Sequence, residues 1–215
     1  YWRSVTMSHN AFYQEAFMDE VAEAAGKDPV DFRRELLAHK PDFVAVLDAL
    51  AEKGDWGTPL AESAEGSRRG RGIAFAEAFQ STVGQIIEVT VAANGELTVD
   101  RVVTVVDPHT VVNPSIVEAQ IEGSVIDALS AALYSQIDVE DGAVVQSNFD
   151  SYRMMTMADV PASIETHIMP QGGHPGGMGE VGIPCVAPAL TSAIYNATGH
   201  RIRSLPISGS GLVSV

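Results

Sequence analysis

Cysteine is nearly absent from this 215-residue chain, with Cys185 standing alone. A single thiol excludes an internal disulfide and any multi-cysteine zinc or iron-sulfur site built by this chain. Set between Pro184 and Val186, it reads as a packed apolar side chain. Cations are scarce too: 13 Lys and Arg stand against 28 Asp and Glu, a net charge of −15. That excess repels phosphates and anionic lipid, which argues against nucleic acid as a partner, and it also serves solubility. No run reaches the roughly 18 uninterrupted apolar residues of a membrane span.

Familiar catalytic signatures are missing as well. There is no Gly-x-Ser-x-Gly, no P-loop Lys-Ser/Thr and no Rossmann fingerprint between a strand and a helix. The histidines His9, His39, His109, His167, His174 and His200 never fall at the i, i+2 or i, i+4 spacing of a metal site on one element. A metal held by protein ligands is therefore not expected. The chain begins on Tyr1 rather than Met, which leads us to expect a piece processed or cut from something longer.

What is abundant is apolar content, 46% of residues, enough for a substantial core. Residues 8–25 place Phe12, Ala16, Phe17, Val21 and Ala24 at helical spacing with Gly26 just beyond, an amphipathic helix with a glycine stop. Asp28 and Pro29 cap a second helix, and Pro41 opens a third that ends near Gly54. Residues 61–71 read as a linker whose arginines Arg68, Arg69 and Arg71 are solvated or form an anion patch. From Gly72 the period changes: 73–78 and 85–92 read as strands, and Asn94-Gly95 turns the chain into a partner strand at 97–106. A long helix at 115–133 carries apolar residues over much of its circumference and is expected to be buried, with Asn113 and Pro114 as its cap and first turn. A hairpin around Asp141-Gly142, a strand at 163–169, a helix at 188–197, a short strand at 202–206 and a frayed tail at 208–215 complete the reading. Helices are grouped and strands are joined by hairpins, so the fold class is α+β: a helical segment 1–60, the linker, an α+β region 72–207 and the tail.

Two features are candidates for chemistry. In the stretch 172–182 the carboxylate of Glu180 sits in a run of glycines, where the backbone can take positive φ and approach another group closely. Glu180 is then a general base on a ligand-facing loop or part of an ordinary turn, and His174 on the same loop faces a ligand or solvent. Gln120 lies on the long helix, where its amide needs partners that a heteroatom-rich cofactor, neighbouring backbone or water would supply.

Four segments, in order, resemble one family: the large molybdenum-cofactor-binding subunits of the xanthine oxidase type of molybdenum hydroxylases. Within it they are most similar to the isoquinoline 1-oxidoreductase β-subunits and their aldehyde dehydrogenase relatives. The segments are Tyr1-Trp2-Arg3-Ser4-Val5 with the helix to 25; 105–107 through Asn113-Pro114 to Gln120-Ile121-Glu122-Gly123; Gln146-Ser147-Asn148-Phe149 with Tyr152; and Gly177-Met178-Gly179-Glu180 through Pro188-Ala189-Leu190 to 201–206. The resemblance implies a molybdopterin cofactor, in its cytosine dinucleotide form, carrying molybdenum. It implies Glu180 as the general base in hydroxylation of an N-heteroaromatic or aldehyde carbon with water as oxygen source. It implies Gln120, Trp2, Arg3, Ser4 and Gly179 as cofactor-side residues, and the metal held by pterin sulfurs.

A small partner subunit with a 2Fe-2S cluster and the upstream part of the same subunit are implied partners, and the periplasm is favoured over the cytoplasm. This chain departs from the xanthine oxidase branch in carrying Tyr1-Trp2 and Ser4-Val5 around Arg3, where that branch has a Phe-Arg-Gly-Phe type of sequence. Cys185 replaces an expected proline or apolar residue. Because family subunits are several times longer, the chain resembles their C-terminal part and is expected to be inactive and largely cofactor-free alone. The alternative is a scaffold or assembly module that keeps the fold without the cofactor.

Overall fold

Long strands of β-branched residues organise this computed structural model, which describes residues 1–211, 213 and 214. β1 (Arg68–Ala78), β2 (Ser81–Val91) and β3 (Leu97–Asp107) form an antiparallel meander in which Ile73 faces Ile86 and Ile86 faces Val103. β2 is buried continuously from Ser81 to Val89, because helices cover both faces of the sheet, and its polar residues Gln85 and Glu88 are buried with bonded partners. A small hairpin of β4 (Val139–Glu140) and β5 (Ala143–Val144) stands apart, and β6 (Ser163–Ile168) returns to lie parallel to β3, giving the order β1-β2-β3-β6.

Helices cover the sheet on both sides. α1 (Met7–Ala24), α2 (Pro29–Leu36) and α3 (Pro41–Lys53) come first, and Asp28 caps α2 by accepting from Val30 N at 2.8 Å. α4 (Pro114–Leu133) begins on Asn113, whose side chain accepts from Ile116 N at 3.3 Å, and α5 (Val186–Thr198) closes the set. Val83, Ile87, Val102, Ile121, Leu129 and Leu190 form the core beneath α4 and α5, while Ile86, Val105, Val46, Leu47 and Leu50 form the core under α3. α5 lies close enough to β1 that a Cβ on Gly72 would stand 2.2 Å from Ala189 O. Only glycine fits there.

One buried charge network ties α1 to its neighbours. Arg33 donates to Glu15 Oε2 at 3.0 Å and pairs with Asp19 Oδ1 at 2.7 Å, Glu15 accepts from Phe75 N at 2.8 Å, and Ser192 bonds Asp19. Burial pushes the Glu15 carboxyl up, against the opposing pull of Arg33.

Several details differ from the sequence reading, and β2 begins at Ser81, four residues before the strand read at 85–92. β1 starts at Arg68, inside the stretch read as a linker, because the buried Glu88 needs cations: Arg71 donates to it at 2.7 Å and Arg69 lies 3.4 Å away. Residues 202–206 form no strand; β6 occupies the sheet position beside β3, and Arg201 and Arg203 turn to Glu23 and Glu20 of α1. Residues 208–211, 213 and 214 are not frayed: Ile207–Gly209 is a turn of 3-10 helix, Val213 is buried, and Ser214 O accepts from Leu97 N at 2.9 Å. Residues 212 and 215 of that tail lie outside the described residues. Finally, α4 is buried on one side only, leaving Ile116 exposed.

Candidate functional site

The glycine-rich loop is pressed onto the turn that joins β1 to β2. That turn is Phe79-Gln80, with φ of 55° and 62°, a conformation that bulky residues rarely adopt. Gly177 N donates to Phe79 O at 2.7 Å, and Ser81 Oγ donates to Gly177 O at 3.0 Å. A Cβ on Gly176 would sit 2.3 Å from Gln80 O. Much of the loop's glycine content therefore serves close backbone packing. Gly179 differs, because the space where its Cβ would be is open.

Past Gly179 the chain dives into the core, with Val181 and Ile183 buried. Gly182 O accepts from Nε2 of Gln85, a fully buried amide on β2, at 3.0 Å. Glu180 is left half-buried at the rim, held from below and reached from above.

The residues that reach it come from the start of the chain. Ser4 N donates to Glu180 Oε1 at 2.8 Å, across 176 residues of sequence. Ser4 and Val5 hold φ of 73° and 43°, the second a marked outlier for a β-branched residue. Backbone strain of this kind costs about 1–3 kcal/mol per residue and persists where surrounding contacts over-determine it. Arg3 donates from Nε and Nη2 to Gly179 O at 2.9 and 2.7 Å, and from Nη2 to Gln120 Oε1 at 3.0 Å. Its Nη1 lies 3.6 Å from Asp127 Oδ2 on α4.

Arg3, Ser4, Gln120, Gly179 and Glu180 thus converge on one spot. Trp2 takes part through its carbonyl, which accepts from Val5 N at 2.9 Å, while its ring is half exposed. His174 lies on the exposed side of the loop, its Nδ1 3.1 Å from Pro175 O. Sequence reasoning passed over Gln85 and Asp127. The signal for Gln85 was weak: an amide directly before Ile86-Ile87 in a strand needs a buried partner once the strand is covered. Asp127 carried none, being one of many acidic residues.

Around the 180–182 turn, Ser4 Oγ, Gln85 Oε1 and Ser124 Oγ are buried without a hydrogen-bond partner among the described residues. Half-buried Gln120 and Glu180 bond Arg3 and Ser4 through Oε1 alone among the described residues, which leaves Gln120 Nε2 as a spare donor and Glu180 Oε2 as a spare acceptor. No group of three or more His, Cys, Asp or Glu side chains able to hold a metal occurs among the described residues.

A site of this make-up, polar groups gathered beside an open glycine, suits a heteroatom-rich organic cofactor more than a bare ion. Residues 3–161 match the family described as the molybdopterin cofactor-binding domain, and the chain belongs to that family, within the xanthine oxidase type of molybdenum hydroxylases. It is 34% identical over 208 residues to the isoquinoline 1-oxidoreductase β-subunit of Brevundimonas diminuta, covering 96% of this chain and 26% of that protein. It is 36% identical over 220 residues to a nicotinate dehydrogenase subunit of Pseudomonas putida, covering 96% of this chain and 18% of that protein. The chain therefore spans about a quarter or less of these relatives. In fold it is similar to the aldehyde oxidoreductase of Desulfovibrio gigas, with a TM-score of 0.73 at 14% identity over 96% of this chain and 40% of that one. No helix among the described residues is long and apolar enough to cross a membrane.

Proposed function

We propose that the chain is the cofactor-binding C-terminal part of a molybdenum hydroxylase that oxidises an N-heteroaromatic or aldehyde carbon with water as oxygen source, Glu180 acting as general base. The observation that carries this is the Ser4 N to Glu180 Oε1 hydrogen bond of 2.8 Å, which brings the first residues of the chain onto the glycine loop beside Gln120. It holds one carboxylate oxygen and leaves Oε2 to take a proton. The residues fit a pterin: Gln120 Nε2 is a free donor, Gly179 leaves room for close approach, and Ser4 Oγ lacks a partner. Molybdenum on its pterin dithiolene supplies the two-electron redox chemistry.

The same reading includes the cytosine dinucleotide form, a partner subunit with a 2Fe-2S cluster, an upstream portion of the same subunit and a periplasmic address. For the 215-residue chain alone it includes no activity and little or no cofactor.

The test is the complete subunit, reconstituted with its partners and carrying Glu180→Gln. We expect dye-linked hydroxylation to fall about a hundredfold or more, as for loss of a general base, with molybdenum content unchanged. Full activity with molybdenum bound would remove Glu180 from the mechanism. A complete subunit that binds neither pterin nor molybdenum would support the scaffold reading.

A further inference from the structure

The Arg3 guanidinium is turned toward protein groups. Its Nε and Nη2 both donate to Gly179 O, at 2.9 and 2.7 Å, and Nη2 also meets Gln120 Oε1 at 3.0 Å and the Gln120 backbone carbonyl at 3.4 Å. Nη1 faces Asp127 Oδ2 at 3.6 Å. Asp127 stands seven residues after Gln120, two turns along the same face of α4, so Nη2 and Nη1 both face one helix while the Nε–Nη2 edge is held by the loop. Three of its five N–H groups are engaged by Gly179 and Gln120, and Nη1 is turned to a carboxylate. What the guanidinium settles is the orientation of an amide.

We propose that Arg3, steadied by Asp127, is a positioning residue that sets the Gln120 amide with Oε1 inward and Nε2 outward, and pins the Gly179 carbonyl beside Glu180. The inference rests on the functional reading above and assigns Arg3 a role through Gln120 in place of direct contact with the cofactor. An amide has two faces of opposite polarity, and without a fixed donor at Oε1 it can present either one. With Arg3 in place only the N–H pair faces out, so the group accepted there is a hydrogen-bond acceptor, such as a ring nitrogen or carbonyl of a pterin. A planar fork can bond two carbonyl-type oxygens on separate elements at fixed geometry; a lysine ammonium, a flexible point charge, cannot reproduce it.

The test uses the complete subunit with its partners, carrying Arg3→Lys, Gln120→Ala, or both. The readouts are the rate of pterin release on dilution, the Tm, and a crystal structure of Arg3→Lys. Arg3→Lys is expected to speed pterin release about tenfold or more, the scale seen when residues that orient metal-site ligands are lost, with Tm little changed. The double variant is expected to release no faster than Gln120→Ala alone, since the amide that Arg3 orients is already gone. Release unchanged in Arg3→Lys, or effects that multiply fully in the double variant, would overturn the proposal, because a purely structural arginine would act independently of Gln120. In the crystal structure the Gln120 amide is expected to turn or lose its single orientation; an unmoved amide would also overturn it. A wild-type subunit devoid of pterin would sink the functional reading, and the crystallographic arm would then decide by itself whether Arg3 sets the amide.

Discussion

Ser4 and Val5 illustrate how a site can be made by backbone rather than by side chains. Their left-handed φ values aim the Ser4 N–H at Glu180, a conformation that glycine takes freely and that here falls on Ser4 and a β-branched residue. Glu180, Gln120 and Arg3 were legible because their segments resemble a family. Gln85 gave only a weak signal, as one polar residue among several in its strand, and Asp127 was not legible at all, since a charge acquires meaning from what lies beside it. Cys185 shows the opposite case, a residue whose sequence context sufficed. It is fully buried, its Sγ 3.7 Å from Val83 O, and burial pushes its thiol well above the ordinary value. We expect Cys185 to resist a thiol reagent such as dithionitrobenzoate in the folded chain and to react promptly in denaturant. Rapid labelling of the native protein would contradict this packing.

Elements were read well where local chemistry decides them. The caps at Asp28 and Asn113 and the Asn94-Gly95 turn carry their own signals, and each element lies where those signals place it. The Phe79-Gln80 turn was missed because its left-handed pair lacks glycine or asparagine, and the conformation is imposed by the strands on either side and the loop packed over it. β1 was read five residues short because polar arginines near a strand end look solvated until a buried carboxylate is known to face them. The packing of α5 on β1 gives a test at this scale. In Gly72→Ala the new methyl group would meet Ala189 O at 2.2 Å and Ala193 N at 2.4 Å, both backbone atoms that cannot swing aside. The cost is expected at about 1–3 kcal/mol, visible as a lower Tm or urea midpoint. A variant as stable as the parent would mean that α5 does not lie on this strand.

At the scale of the whole molecule, the Arg33 network binds α1, α2, α5 and β1 into one body and so holds the first residues near the glycine loop. Removing the cation strands two buried carboxylates. Arg33→Leu is expected to cost about 3–5 kcal/mol at neutral pH by urea unfolding. The pH dependence has a definite sign. A carboxyl whose folded pKa lies above its unfolded one keeps the fold more stable at low pH, and that contribution is lost as pH rises through the folded value. Burial already raises Glu15, and loss of Arg33 removes the group that opposes the shift, so the deficit of the variant should grow from acid toward neutral pH. A deficit that shrank over that range would show that Glu15 and Asp19 are not buried with Arg33.

Sequence alone determined the class α+β, most helix and strand positions, and, by resemblance, the family, because periodicity, caps and turn residues act over a few neighbours and motifs keep their order along the chain. It did not determine that Ser4 meets Glu180, that Arg3 spans Gly179 and Gln120, or that the glycines at 176 and 177 serve a strained turn while Gly179 stands open. Those contacts join residues far apart in the chain, and their energies depend on burial and direction. Only the packed sheet with its helices brings the groups close enough for either to operate.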